Sequence, residues 1–202
     1  SLFEAANLAK DIDSHFIDIR NQNDTLKLIQ KTEPEILFHM AAQPLVRLSY
    51  EQPVETYATN VMGTVHVLDA IRKTPSVHSC VVVTTDKCYE NQEKNLAFQE
   101  GDRLGGHDPY SNSKACAELV TEAYRNSFFN RENFSKHKLG LATGRAGNVI
   151  GGGDWAKDRL VPDIAVAFSK KEPVVVRNPN SIRPWQHVLA PLSGYVILAE
   201  KL

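Results

Sequence analysis

The run Cys80-Val81-Val82-Val83 constrains the fold more than any other feature of these 202 residues. A strand of consecutive apolar residues has no polar face to offer water, so both of its faces must be covered. That is the position of a strand in the middle of a parallel sheet, and parallel strands need crossovers long enough to hold a helix. The chain supplies them. Residues 53–73 predict a long helix: Pro53 suits the first turn, and Val54, Tyr57, Val61, Val65 and Leu68 recur at helical spacing. Further helices are predicted over residues 24–31, 108–128, 160–170 and 189–202. Strands are predicted over 14–17, 35–39, 77–84 and 139–145, and residues 173–177 form a β-branched run. This alternation indicates an α/β fold, a doubly wound parallel sheet with helices on both faces. Residues 89–107, the longest irregular stretch, are polar and read as a surface or active-site loop.

Composition narrows the function. Lysine plus arginine is 23 and aspartate plus glutamate is 24, a net charge of −1 with no basic block. Nucleic acid is therefore not expected as a partner, since phosphate binding needs clustered cations. The three cysteines, Cys80, Cys88 and Cys116, are odd in number and show no C-x-x-C spacing. That speaks against a disulfide framework or zinc ribbon and fits the reducing cytoplasm. Cys88 reads as a small buried thiol rather than a nucleophile. No apolar run is long enough to cross a bilayer, no signal-peptide pattern opens the chain, and the 7 histidines lack metal-ligand spacing. No membrane partner and no metal are expected. The first residue is Ser1, so the chain is expected to be a piece of something longer.

Four groups of residues carry candidate chemistry. Tyr110 and Lys114 lie four apart, on one face of a predicted helix. An ammonium one turn from a phenol favours the phenolate, which makes tyrosine a general base for an alcohol. Thr84-Thr85-Asp86-Lys87 ends the most apolar strand, and open parallel sheets place their chemistry at the carboxyl ends of strands. Gly151-Gly152-Gly153-Asp154-Trp155-Ala156 matches G-x-G-x-x-G/A in form. It comes late in the chain, however, and Arg177 rather than an acid ends the next β-branched run. It reads instead as glycines that let the backbone turn close to a substrate. Asn148, Arg159, Arg183, Trp185 and His187 lie near that loop, and arginine forks suit phosphates.

Together these residues resemble the extended short-chain dehydrogenase/reductase superfamily, and within it the nucleotide-sugar 4,6-dehydratases of the CDP-glucose subgroup. The resemblance rests on Asp18-Ile19-Arg20, His39-Met40-Ala41-Ala42-Gln43, Asn60 with Gly63-Thr64, Thr84-Thr85-Asp86-Lys87-Cys88-Tyr89 and Asp108-Pro109-Tyr110-Ser111-Asn112-Ser113-Lys114. It also rests on the segments from Arg145 to Trp155 and from Ile182 to Val188. It implies a Rossmann-like sheet, with residues 1–153 as an NAD-binding domain, 154–181 as part of a substrate lobe and 182–202 as a return to the first domain. It also implies NAD as cofactor, CDP-glucose as substrate and a homodimer or homotetramer built on the two long helices. Tyr110, helped by Lys114 and Thr85, is implied to take the proton of the sugar C4 hydroxyl. Asp86 and Lys87 are the candidates for acid and base in losing water across C5 and C6. Asp18 and Ile19 are implied near the adenine, and Ala41, Ala42 and Gln43 near the phosphates and ribose. Asn60, Thr84, Tyr110 and Lys114 complete the cofactor set. Asn148, Arg159, Arg183, Trp185 and His187 are implied to hold the nucleotide-sugar.

The chain departs from the family pattern in one respect. The family opens with a strand and G-x-x-G-x-x-G, and nothing before Ser14 matches that loop. The sheet is therefore expected to lack its first βα unit, and part of the substrate lobe is expected to be missing. Two alternatives stay open: a nucleotide-sugar 4-epimerase, which needs no proton transfer at C5 and C6, and a non-catalytic piece that folds without binding NAD.

Overall fold

A computed structural model describes residues 2–92 and 97–202. Ser1 and residues 93–96, part of the expected 89–107 loop, lie outside the described residues. In chain order the first elements are α1 (Leu2–Ala5), α2 (Gln22–Thr32), β1 (Ile36–His39), α3 (Val46–Glu51), α4 (Pro53–Tyr57), α5 (Gly63–Ile71) and β2 (Ser79–Val83). Then follow α6 (Pro109–Ser127), α7 (Phe134–His137), β3 (Gly140–Gly144), β4 (Asn148–Ile150), α8 (Leu160–Lys170), β5 (Trp185–His187) and α9 (Leu189–Lys201). The chain forms two compact units, Ile17–Ala146 with Ser193–Leu202, and Ser1–Phe16 with Gly147–Leu192. The division thus falls ahead of the glycine run rather than after it.

The larger unit is built on three parallel strands in the order β1-β2-β3, with Phe38 opposite Val81 and Val81 opposite Ala142. β2 is the apolar run, and it is central. Its Cys80 and Val82 join Leu141 in a core with Ile29 of α2, Val67, Leu68 and Ile71 of α5, and Phe129. Its Val81 faces the other way, beside Gly144, whose missing Cβ leaves room for the Tyr195 ring of α9. On that same side Ser79 Oγ donates to Ala199 O of α9 at 2.9 Å. Helices therefore cover both faces of β2, as its sequence requires. Each fully buried aliphatic side chain there contributes about 1.5–3 kcal/mol.

Three expectations need correction. Residues 14–17 form no strand. They have no partner strand among the described residues, and Phe16 is 94% exposed. Residues 173–177 are not a strand either; Val175 is exposed, and Arg177 is tied to Asp158 Oδ1 at 2.8 Å instead. The predicted helix over 53–73 is interrupted by a π-helical turn at Ala58–Met62, between α4 and α5. Its wider winding centres on the buried Asn60, and π-bulges are frequent at functional sites.

The start of α6 is set by local chemistry. Asp108 accepts from Ser111 N at 3.0 Å while Ser111 Oγ accepts from Asp108 N at 3.3 Å, and Pro109 opens the first turn. This capping box places Tyr110 in the first turn. In the smaller unit β4 and β5 pair in parallel, with Asn148 opposite Trp185 and Ile150 opposite His187. The glycine run leaves β4 through a turn. Gly153 has φ +80°, and α8 begins only at Leu160, so the run does not open a helix as a dinucleotide fingerprint does. Its close approaches are to the chain itself: a Cβ at Gly151 would meet Val188 at 2.8 Å. Among the described residues no helix is long and apolar enough to cross a membrane.

Candidate active site

The larger unit gathers its chemistry where β1 and β2 end. Past Val83 the chain stays tied to β3, with Thr84 N donating to Gly144 O at 2.9 Å. It then forms a single tight turn over Asp86–Cys88. Thr85 shapes that turn: its hydroxyl donates to Asp86 Oδ1 at 3.0 Å, and Lys87 N donates to it at 3.4 Å. Lys87 Nζ lies 3.4 Å from the same carboxylate oxygen, and both side chains are about one-third exposed, at 34% and 30%. An acid and a base thus sit side by side, reaching solvent.

Helix α6 lies against this turn. Lys114 is buried, and its Nζ donates to Val83 O, the last carbonyl of β2, at 3.1 Å. Burial pushes its pKa down to about 8, and the Glu118 carboxylate one turn further on opposes the drop. Tyr110, one turn before, is also buried. Its backbone is held on both sides: Tyr110 N donates to Ser49 Oγ of α3 at 3.1 Å, and Tyr110 O accepts from Ser113 Oγ at 2.7 Å.

Ser113 connects to a hub at Asn60. Asn60 Nδ2 donates to Ser113 Oγ at 2.9 Å and to Gln43 O at 3.1 Å, while its Oδ1 accepts from Gln43 N at 2.8 Å. Both amide hydrogens are therefore used in joining the loop after β1 to the N-terminal part of α6. Thr64 Oγ1 donates to Asn60 O at 2.7 Å and lies 3.0 Å from His39 Nε2. Because that hydroxyl has a single proton, His39 is the donor to it, with hydrogen on Nε2. Burial first, and then the Lys114 charge, push the His39 pKa from 6.5 down to about 4, so the ring is neutral.

A second knot lies one turn beyond Lys114. The buried Glu118 carboxylate accepts from the hydroxyls of Thr84 and Thr143 (the latter at 2.8 Å) and from Arg145 at 2.8 Å. Burial pushes its pKa up, but the three donors outweigh burial and hold it below the usual glutamate value. Arg145 also donates to Tyr89 Oη at 2.9 Å and to Glu100 O at 3.1 Å, with its guanidinium 4.9 Å from the Tyr89 ring centroid. Arg145 Nε is buried and has no partner among the described residues.

The remaining expected residues fall in several places. Ala41, Ala42 and Gln43 form the loop directly after β1. Asp18 is exposed and accepts from Arg20 Nε at 2.9 Å; hydrogen bonds from Arg20 hold its pKa near 2. Ile19 packs on α5, where a Cβ at Gly63 would lie 2.5 Å from Ile19 Cδ1. In the smaller unit Asn148, Trp185 and His187 share the β4–β5 pair. There Arg159 Nε lies 3.6 Å from Asp154 Oδ2, and the exposed Arg183 donates to Ile182 O at 2.8 Å. Glu118, Arg145, Ser49, Ser113 and His39 were assigned no role from sequence. For Glu118 a signal existed, since Tyr110, Lys114 and Glu118 recur every four residues.

An open parallel sheet covered by helices, with its polar residues at the strand ends, is a Rossmann-like α/β fold. Solved structures share it. A UDP-glucose 4-epimerase from Thermotoga maritima superposes with a TM-score of 0.81 at 20% identity, covering 92% of this chain and 58% of that one. A Bacillus anthracis dTDP-glucose 4,6-dehydratase in complex with NAD gives 0.79 at 23% identity, covering 100% and 59%. The chain belongs to the GDP-mannose 4,6 dehydratase family, whose model matches residues 2–198. It is 58% identical over 202 residues to the CDP-glucose 4,6-dehydratase of Salmonella typhimurium, covering 100% of this chain and 56% of that protein. It is 31% identical over 126 residues to a CDP-paratose 2-epimerase of Salmonella typhi, covering 55% of this chain and 37% of that protein. The chain spans about half the length of the curated relatives it matches.

Proposed function

We propose that the protein is a nucleotide-sugar 4,6-dehydratase that converts CDP-glucose to CDP-4-keto-6-deoxyglucose. One observation carries this reading: a buried lysine, fixed at the end of the central strand, lies one helical turn from a buried tyrosine and beside an Asp-Lys turn. The 58% identity to the Salmonella enzyme supports the choice of reaction and of CDP.

NAD is the proposed cofactor, and the donor set fits it. The loop Ala41–Ala42–Gln43 and the Thr84 strand end lie at the carboxyl ends of adjacent parallel strands, where dinucleotides bind in such sheets. Asp18 offers a carboxylate that stays ionised, an acceptor for the amino group of the adenine. Asp18, Ile19, Ala41, Ala42, Gln43, Tyr110 and Lys114 would hold it, with Asn60 and Thr84 fixing the loop and the strand end behind them. When bound, NAD supplies the hydride acceptor and donor for oxidation at C4 and reduction at C6.

Tyr110 takes the proton of the C4 hydroxyl, and the Lys114 ammonium stabilises the phenolate that does so. Thr85 holds the Asp86 turn, and its hydroxyl would turn from Asp86 to the sugar when substrate binds. The C4 ketone acidifies the C5 hydrogen, and Asp86 and Lys87 move the two protons needed to lose water across C5 and C6. An epimerase leaves that pair without a task, which favours the dehydratase. Asn148, Arg159, Arg183, Trp185 and His187 hold the nucleotide-sugar, with the arginine forks suited to its diphosphate. A homodimer or homotetramer through residues 53–73 and α6 would cover Val54, Met62 and Leu119, which are exposed there. The three free cysteines fit the cytoplasm.

The test is turnover of the full-length protein on CDP-, dTDP-, GDP- and UDP-glucose, with D86N and K87M alongside. The reading expects CDP-glucose to be preferred, and both variants to oxidise C4 yet lose water elimination. Elimination surviving both changes would overturn the Asp86 and Lys87 assignment; no turnover of any nucleotide-glucose would overturn the reaction.

A further inference from the structure

Tyr110, Lys114 and Glu118 follow one another every four residues on one face of α6, all three buried. The spacing puts Lys114 about 6 Å along the axis from each neighbour, and Glu118 about 12 Å from Tyr110. A negative charge at Glu118 therefore acts on Lys114 much more strongly than on Tyr110. The Glu118 charge is itself well fixed. Its oxygens accept from Thr84, Thr143 and Arg145, which lie at the ends of β2 and β3.

The Glu118–Arg145 pair is poorly explained as a device for stability alone. Replacing a buried ion pair with apolar residues is often neutral or stabilising, because desolvation offsets the attraction. Here Arg145 Nε is also buried without a partner among the described residues, a further cost. What the pair does accomplish is to keep an ionised carboxylate at one defined place, one turn behind Lys114.

We propose that Glu118 is a positioning residue for the Tyr110–Lys114 pair. Once one proton has left the pair, Glu118 keeps the remaining proton on Lys114 and so leaves Tyr110 as the phenolate. No proton is gained or lost in this step; the two forms differ only in which member of the pair holds it. Arg145, in turn, fixes the Glu118 carboxylate and ties it to Tyr89 and to Glu100 O in the following loop. The groups around Lys114 are consistent with Glu118 being the one that acts. On its own helix are Tyr110 and Glu118. From β1 comes His39, which is neutral, and from the turn after β2 come Asp86 and Lys87, which pair with each other. The idea rests on the reading of Tyr110 and Lys114 as the proton-transfer pair, but one arm of its test does not.

That arm is a phenolate-absorbance titration of the full-length protein, with the Tyr110 contribution isolated by subtracting Y110F. In E118Q the Tyr110 phenolate should appear at higher pH than in the parent. The second arm is the pH profile of nucleotide-sugar turnover. Its alkaline limb should move to lower pH, with kcat near pH 8 reduced about tenfold and KM little changed. E118D, which keeps the charge, should return both profiles toward the parent. E118Q leaves the Arg145 charge unpaired and can unfold the protein, so E118Q/R145Q, which removes both charges, is the second variant. The proposal predicts that the shifted titration persists in E118Q/R145Q. A Tyr110 titration unchanged in that double variant would overturn it and leave Glu118 a structural clamp. If the parent turned over no nucleotide-sugar, the functional reading would fall, and the Tyr110 titration would still decide the role of Glu118.

Discussion

The two units hold their polar residues in opposite ways. In the larger unit, the side chains around α6 are buried and bonded to the protein itself. Lys114 is tied to Val83 O, Asn60 to Gln43 and Ser113, and Glu118 to Thr84, Thr143 and Arg145. In the smaller unit, Arg183 is exposed and donates to the carbonyl of its own neighbour, and Arg159 makes a long contact to Asp154. The first arrangement is set before any ligand arrives, which suits the proton transfer proposed for it, because a misplaced base loses its advantage. The second leaves guanidinium forks available for anionic groups. Replacements around α6 should therefore cost both folding and chemistry, whereas replacements at the exposed arginines should cost binding alone.

The largest expected effect is on chemistry. Y110F removes one buried oxygen, so turnover should fall by about 10²–10⁴-fold, and the melting temperature of the full-length protein should fall by a few degrees. E118A tests the cost in folding. It leaves the Arg145 charge without its buried partner, and urea denaturation should show a loss of about 3–5 kcal/mol. R183A sharpens the contrast, with stability within about 0.5 kcal/mol of the parent and a raised KM for the nucleotide-sugar. A comparable loss of stability in R183A and E118A would remove the distinction between the units.

His39 gives a pH-dependent version of the same test. Its pKa is depressed from 6.5 to about 4 in the fold, so its contribution to stability is full above pH 6.5. It is lost as the pH falls towards 4, by on the order of 3 kcal/mol. H39Q should flatten that part of the stability curve in denaturation experiments at pH 7 and pH 4.5. The smallest effect belongs to the exposed Asp18–Arg20 pair. D18N should leave stability nearly unchanged at moderate salt, because exposed pairs contribute little.

Much of this arrangement is legible in the sequence where the causes are local. The apolar run 80–83 announces a strand covered on both faces, and Asp108-Pro109 with Ser111 announces the start of α6. Tyr110 and Lys114 follow from helical spacing. What local pattern misses is set by long-range pairing. Residues 14–17 have strand composition but no partner strand among the described residues, and β4 and β5 are three residues each, too short for alternation to register. Thr84 and Asn60 are expected in the cofactor set from sequence; the structure adds that the Thr84 hydroxyl donates to Glu118 and that the Asn60 amide is bonded to Gln43 and Ser113. Sequence position fixes which strand end a residue occupies, not which way its side chain is bonded.

The central claim is that Tyr110 and Lys114 open a reaction in which hydride leaves C4 and returns to C6 of the same sugar, with water lost between. It is tested most directly by giving the full-length protein CDP-glucose labelled with deuterium at C4 and locating the label by NMR. The product should be a 4-keto-6-deoxy sugar carrying the label at C6. A product with the label still at C4 and inverted configuration there would contradict it, and would make the protein an epimerase.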